Sequence, residues 1–380
     1  MNLVIESLTA FGELILNPMF YWIILLVILP SDHRIQLEKK FFNQQVFGMR
    51  AELRQTLYLS IVMSLFLLLL TLGLRMTFSY EMIIILSTVI LILTYTNKYT
   101  LLSASYTIGI TLIIFYFLPL DEKTNQILTD KLFASLILIM SLLLIAEAYL
   151  LARFKNKEAF PSLSRSTRGR WFGNLTVSKI SIIPLVIIYP EGTLPVINFL
   201  FPYASIGNEQ FSFFIIPFAI GFSHIFKGKL PESYTKKLAG NVLSLAIIVM
   251  VLAFGSLYIS YLSIIAVMIA VFGRALIHYT FYKKDVKKPP IFFELHKKVR
   301  VLGVVEDSPS QRLGFNVGDK IEEINGKAIH SFETFKQAFH EYNGLCTMKV
   351  VTAEGKIYYI KNSIYEGTPA ELGLLFGTKS

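Results

Sequence analysis

VLGVVEDSPSQRLGFNVGDKIEEING, residues 301–326, sets four turn signals between short apolar runs: Ser308-Pro309, Gly314, Gly318-Asp319 and Asn325-Gly326. Gly314 and Gly318 stand where a tight turn needs positive φ, and Asn325-Gly326 is a strong two-residue hairpin signal. Working outward, Arg300 to Val305 and Lys320 to Ile324 read as strands, and Ser308-Pro309 opens a helical turn that Gly314 closes. Ser331 is an N-cap for a helix from Phe332 to about Tyr342, with Phe332, Phe335, Phe339 and Tyr342 on one face, and Asn343-Gly344 stops it. Leu345 to Thr352 and Lys356 to Asn362 form a hairpin across Ala353-Glu354-Gly355.

The spacing S-P-x4-G-x3-G-D-x-I-x2-I-N-G resembles a PDZ domain of the bacterial type. Glu371 to Phe376, ELGLLF, is similar to the carboxylate-binding strand of such domains, which lies at one end of the sequence in the permuted bacterial form. The resemblance implies a peptide groove between strand 372–376 and helix 332–342. Leu372, Gly373, Leu374 and Leu375 would receive a partner's C-terminal carboxylate and add its strand, with Phe335, Ala338 and Phe339 lining the groove. The same residues also suit a plain closing strand and an aromatic core face. Ser310 and Leu313 depart from the alanines that many PDZ domains carry there.

Upstream the composition changes. The chain is 54% apolar with 31 Phe, and its mean hydropathy is +0.56, too hydrophobic for an ordinary soluble protein of this size. The long apolar runs lie in residues 1–282, and the expected architecture is an α-helical polytopic membrane domain over 1–282, a linker over 283–298 and a small α+β PDZ-like domain over 299–380. Stretches near the ~20 residues that cross a bilayer as helix fall at 11–29, 57–74, 82–96, 100–120, 132–152, 175–190, 210–226, 239–257 and 261–281, about eight to nine spans. The last two divide one long apolar run near Tyr258 to Tyr261. MNLVIESLTAFGE lacks the basic start and small-residue cleavage site of a signal peptide, so the first span is expected to be retained.

The excess charge belongs to this part. Residues 291–380 hold 11 Lys/Arg against 11 Asp/Glu, so the net +10 comes from residues 1–290. A nucleic-acid binder would carry its basic patch on the soluble module. With the N-terminus outside, twenty Lys/Arg fall in the connections on the inner side and three, Arg75, Lys123 and Lys131, on the outer. That bias puts the C-terminal module in the cytoplasm. Cys346 is the single cysteine, which leaves no internal disulfide.

Residues 31–56 mix five basic residues with Ile35, Leu37, Phe41, Phe42, Phe47 and Leu53, suiting either a helix on an anionic membrane face or a solvated connector. Residues 153–174 read as a basic loop held to headgroups. Pro184, Pro190, Pro195, Pro202 and Pro217 crowd 34 residues, as in the broken helices of transporters or in simple kinks and loops. Glu147, Lys179, Arg274 and His278 fall near the expected cytoplasmic face, where long side chains snorkel. After Pro289-Pro290, Phe292 and Phe293 either enter the interface or pack on the module.

No catalytic motif is present: the sequence has no H-E-x-x-H, no G-x-S-x-G and no Walker loop. Its histidines at 33, 224, 278, 296, 330 and 340 make no metal-spaced pair in the spans, and no cofactor is expected. Several spans followed by one PDZ module, together with N-P-x-F-Y-W at Asn17 to Trp22, resemble the MinJ-like family of cell-division topology proteins of Gram-positive rods. The resemblance implies a non-enzymatic membrane adaptor at septum and poles. Its implied partners are a DivIVA-like scaffold, a MinD-like ATPase, other membrane division proteins and membrane lipid, without nucleic acid. The alternatives are a PDZ-regulated transporter or secretion component, and a protease-associated PDZ regulator.

Overall fold

The computed structural model describes residues 21–22, 34–48, 51–73, 78–96, 98–118, 127–166, 169, 171–190, 203–206, 209–292, 299–341, 344–364 and 372–377. The apolar runs become helices α1 (Ala51–Gly73), α2 (Tyr80–Tyr95), α3 (Ala104–Phe117), α4 (Ile127–Ala152), α5 (Pro231–Ser256) and α6 (Tyr261–Val286). Three stretches within them are long and apolar enough to cross a membrane: Leu132–Ala152 in α4, and the whole of α5 and α6. Shorter apolar helices cover Thr56–Thr71, Glu81–Tyr95 and Ala104–Phe117. The run above 238 breaks at 257–260, where the division was expected, and α6 ends before Pro289-Pro290. The expected span 11–29 lies outside the described residues apart from 21–22.

Two expected spans are not helices. Residues 175–190 and 210–226 lie in strands β2 (Trp171–Pro190) and β4 (Glu209–Phe226). They pair antiparallel from Leu175↔Phe226 to Pro190↔Phe211. β1 (Phe160–Arg165) flanks β2 and β3 (Tyr203–Ile206) flanks β4, giving the order β1-β2-β4-β3. Composition explains the outcome: β2 is rich in Ile, with two Val, and β4 in Phe and Ile, side chains that suit a pleated surface.

The prolines obey the same logic, since Pro184 and Pro217 face each other on one rung. The Ser64 hydroxyl of α1 donates to the Pro184 carbonyl at 2.7 Å, so the Pro184 peptide edge points away from β4 and the rung needs no proline N–H. Thr56 donates to the Ile180 carbonyl, and Ser60 shares a hydrogen bond with Ser181. Thr56, Ser60 and Ser64 recur every four residues, so one face of α1 satisfies the edge of β2. Because both misread segments leave the span list together, the basic connections 153–174 and 227–238 remain on the same side of the count.

A helical run over 34–42 packs onto this sheet, which resolves the two readings of 31–56 into a third. Arg34 pairs with Glu38 at 2.9 Å and lies over the Phe160 ring, while Glu38 also accepts the Val46 N–H. Residues 160–165 and 171–174, expected in a headgroup-bound loop, are strand. Snorkelling is likewise overturned for Glu147 and Arg274: both are 1% exposed and bonded to each other. Lys179 turns instead to Glu158.

The C-terminal unit has strands β5 (Val299–Val304), β6 (Lys320–Ile324), β7 (Lys327–Ala328), β8 (Gly344–Val351), β9 (Ile357–Ile364) and β10 (Leu374–Phe376), with helices α7 (Pro309–Arg312) and α8 (Phe332–Glu341). Its sheet runs β10-β5-β6-β8-β9, with β7 on β6. Gly314, Gly318, Asn325 and Gly326 all take positive φ, as their turns require. Ser331 caps α8 by accepting the Thr334 N–H at 3.1 Å, and Thr334 returns the bond to the Ser331 N–H.

The unit is docked. Leu302 and Val317 are buried in the same core as Leu175, Phe226 and Leu238. Gly173, Gly303 and Gly377 allow the approach: a β-carbon on Gly173 would meet Leu302 at 2.9 Å, and one on Gly377 would meet the Phe292 carbonyl at 2.6 Å. Phe292 is buried and bridges Gly173, so it enters neither lipid nor the module's own core.

Candidate functional site

The expected groove forms where β10 and α8 meet. β10 pairs antiparallel with β5 through Leu374↔Val304 and Leu375↔Gly303. The turn before α7 clasps its start: Val305 donates its N–H to the Gly373 carbonyl at 2.9 Å, and Ser310 donates its own to Leu372 at 3.0 Å. Gly373 has φ +77, and a β-carbon there would lie 2.4 Å from Ser308 Cβ, so only glycine fits. Ser310, a departure from the PDZ pattern, is fully buried with its hydroxyl 2.9 Å from that of Ser308. The departure thus carries its own polar partner into the site.

The strand and helix that carry the seven expected binding residues meet here, and their side chains are largely committed. Leu372 and Leu374 share one core with Phe335, Ala338 and Phe339. Leu375 faces the other way, against Gly303 on the docked side. Two aromatics that the sequence reading did not assign to the site close it: the Phe376 ring lies 5.1 Å from Phe332 and 5.0 Å from Phe335. Phe332 is the half-buried member, under the Lys336 ammonium. The i, i+3 spacing of Phe332 and Phe335, with Phe376 two residues past Leu374, was the available signal. Tyr342 lies outside the described residues. What the arrangement offers a ligand is therefore backbone at a sheet edge beside an aromatic lid, the chemistry of strand addition.

Asp319 anchors the opposite end. Its carboxylate accepts the Asn316 N–H at 2.9 Å and the Tyr358 hydroxyl. Burial raises the Asp319 carboxyl above its usual value, against the two hydrogen bonds, and burial followed by the Asp319 contact raises the Tyr358 phenol. A phenol raised on folding keeps its proton while the unfolded chain loses it, so stability is full below about pH 10 and falls as pH climbs further. Tyr358→Phe is expected to flatten that alkaline loss while costing about 1–3 kcal/mol at neutral pH for the lost charged hydrogen bond. Urea unfolding of the full chain at pH 7 and above 10, followed by labelling of Cys346, the single cysteine and buried in the module, measures both.

A cleft of about 500 Å³ runs along the docking seam, lined by Phe47, Lys157, Glu306, Gln311 and Phe315 among others. Glu306 ties its rim, accepting the Gly48 N–H while its own N–H binds the Val46 carbonyl. Burial raises the Cys346 thiol, so it is a poor nucleophile. No group of three His, Cys, Asp or Glu side chains gathers into a metal site among the described residues.

The sequence profile of the PDZ domain family matches residues 300–351. Over 378 residues the chain is 25% identical to the cell division topological determinant MinJ of Bacillus subtilis (strain 168), covering 98% of this chain and 95% of that protein. No solved structure matches the chain.

Proposed function

We propose that the protein is a non-enzymatic membrane adaptor of bacterial cell division whose PDZ domain, over 299–380, recruits partners from the cytoplasm. The observation that carries this reading is similarity to a division determinant along 98% of the chain, helices and PDZ region together. Residues 1–282 carry the multi-pass anchor, and 283–298, whose first turn continues α6 to Val286, lead from it to the PDZ domain. The basic bias of the inner connections, led by Lys283 to Lys288, supports a cytoplasmic PDZ domain. A partner adds a strand along Leu372 to Leu375, with backbone N–H groups of this strand at its carboxylate and the α8 aromatics Phe335 and Phe339, with Ala338, supporting the floor. Division-site partners, a DivIVA-like scaffold and a MinD-like ATPase, fit this role. A transporter would leave charge free along a pathway, whereas Glu147 and Arg274 are spent on each other.

A fluorescent fusion in dividing cells tests the proposal, for the full chain and for a form ending at Lys298. Enrichment at septa or poles, with division defects in the shortened form, is the expected result. A uniform membrane signal with normal division in both forms overturns it.

A further inference from the structure

α5 begins and α6 ends at the same end of the molecule, and lysines from both converge there. Residues 227–237 and 283–288 hold eight lysines and two acids, Glu232 and Asp285. Both acids are engaged elsewhere, and Asp285 offsets the charge only in part, at Lys229. Glu232 pairs with Lys236 at 2.8 Å. Asp285 is 1% exposed and turned inward, facing His224 and accepting the Lys227 N–H.

The backbone forces the lysines together. Lys227 accepts the Ile291 N–H through its carbonyl at 2.9 Å, and Lys288 donates its N–H to the Asp285 carbonyl at 3.0 Å. Gly228 lies directly on this turn, since a β-carbon there would stand 2.3 Å from Lys288 Cβ. Lys229, Lys237, Lys284 and Lys288 have no carboxylate partner among the described residues. Burial, then Lys288 and Lys237, lower the Lys229 ammonium against a partial offset from Asp285, with a smaller push from Lys284. Four like charges held this close call for an anion.

The surface above them says which anion. Ile247 and Val251 of α5 and Phe272 and Leu276 of α6 are each more than half exposed, with Tyr279 and Tyr282 exposed between them and the lysines. An apolar wall, a tyrosine belt and a basic foot match acyl chain, interface and headgroup in order. We propose that Lys229, Lys237, Lys284 and Lys288 bind the phosphate of an anionic phospholipid whose chains lie on the outer faces of α5 and α6. The site rests on these two helices crossing the bilayer, and it is independent of the PDZ groove and of division.

The test uses the purified full chain in neutral detergent, titrated with phosphatidylglycerol, phosphatidylcholine or inorganic phosphate, reading thermal unfolding and lipid retention by native mass spectrometry. Phosphatidylglycerol is expected to bind saturably and raise Tm, and the other two to leave it unchanged. The doubly substituted Lys284→Gln/Lys288→Gln chain, altered only at exposed positions, should bind on the order of tenfold more weakly, and the fourfold Lys→Gln chain on the order of a hundredfold. A matched control, Lys98→Gln/Lys155→Gln/Lys336→Gln/Lys356→Gln, should bind like the parent. Equal protection by phosphate or phosphatidylcholine, or equal loss in the control, overturns the proposal. Either result leaves the cell-localisation test untouched.

Discussion

Arg274→Met is expected to cost about 3–5 kcal/mol, a loss set by the charge left behind rather than by the bonds removed. Arg274 reaches from α6 to Glu147 on α4, its Nη2 and Nε donating to Oε1 at 2.6 and 3.1 Å. Ser103, at the start of α3, donates to the other oxygen at 2.6 Å. Three helices therefore meet on one carboxylate. With the guanidinium gone, Glu147 keeps a single hydroxyl donor in a setting where both side chains are 1% exposed. Glu147→Leu should be comparably harmful, because it strands the arginine. The double change Glu147→Leu/Arg274→Met should regain most of the loss, as two apolar side chains of similar size need no partner. Thermal unfolding of the four purified forms in one detergent closes the cycle. A near-additive double mutant would mean that the pair contributes little coupling, and would remove it as the clasp of the bundle.

The C-terminal unit was legible because its turns are chemical. Positive φ at Gly314, Gly318, Asn325 and Gly326 leaves few residue choices, and those residues stand in the sequence at fixed offsets. Elements between such turns came within a residue or two. The membrane part was read by hydropathy alone, which measures burial and not backbone shape. Residues 175–190 and 210–226 are apolar enough for helices, and the contrary signals were β-branched composition and a proline in the middle of each. Only pairing makes those prolines harmless, and pairing is a property of two segments, not one. The same limit explains Arg274 and Glu147, placed at the interface by their depth in sequence but facing each other across 127 residues. In the candidate site, convergence of strand and helix was foreseen. How much of each side chain the core would claim depended on Phe332 and Phe376, whose contact no local pattern encodes.

Docking of the PDZ region should respond to Leu302→Ala by about 2–5 kcal/mol, the usual cost of emptying a fully buried leucine site. Leu302 is 0% exposed and belongs to the core that includes Leu175 and Phe226, so the void opens on the seam and not inside the module. The module's own core, around Val301, Ile321 and Phe335, does not include Leu302. The two cores can thus be tested separately. Hydrogen exchange in the full chain is expected to quicken in β5, β10 and residues 171–174 by on the order of a hundredfold, while β8 and β9 exchange as before. Gly377→Val should act the same way by steric conflict, since its β-carbon would meet the Phe292 carbonyl at 2.6 Å and the Gly173 nitrogen at 3.1 Å. Ile357→Ala, at an exposed position on β9, serves as the control. Uniform acceleration across the whole C-terminal sheet would show instead that the module unfolds when its seam is weakened, and would make docking part of its stability rather than a separable contact. Because Gly303 of β5 lies against Pro161 at this seam, a release confined to β5 and β10 would also tie strand β10 to the seating of the module on β1.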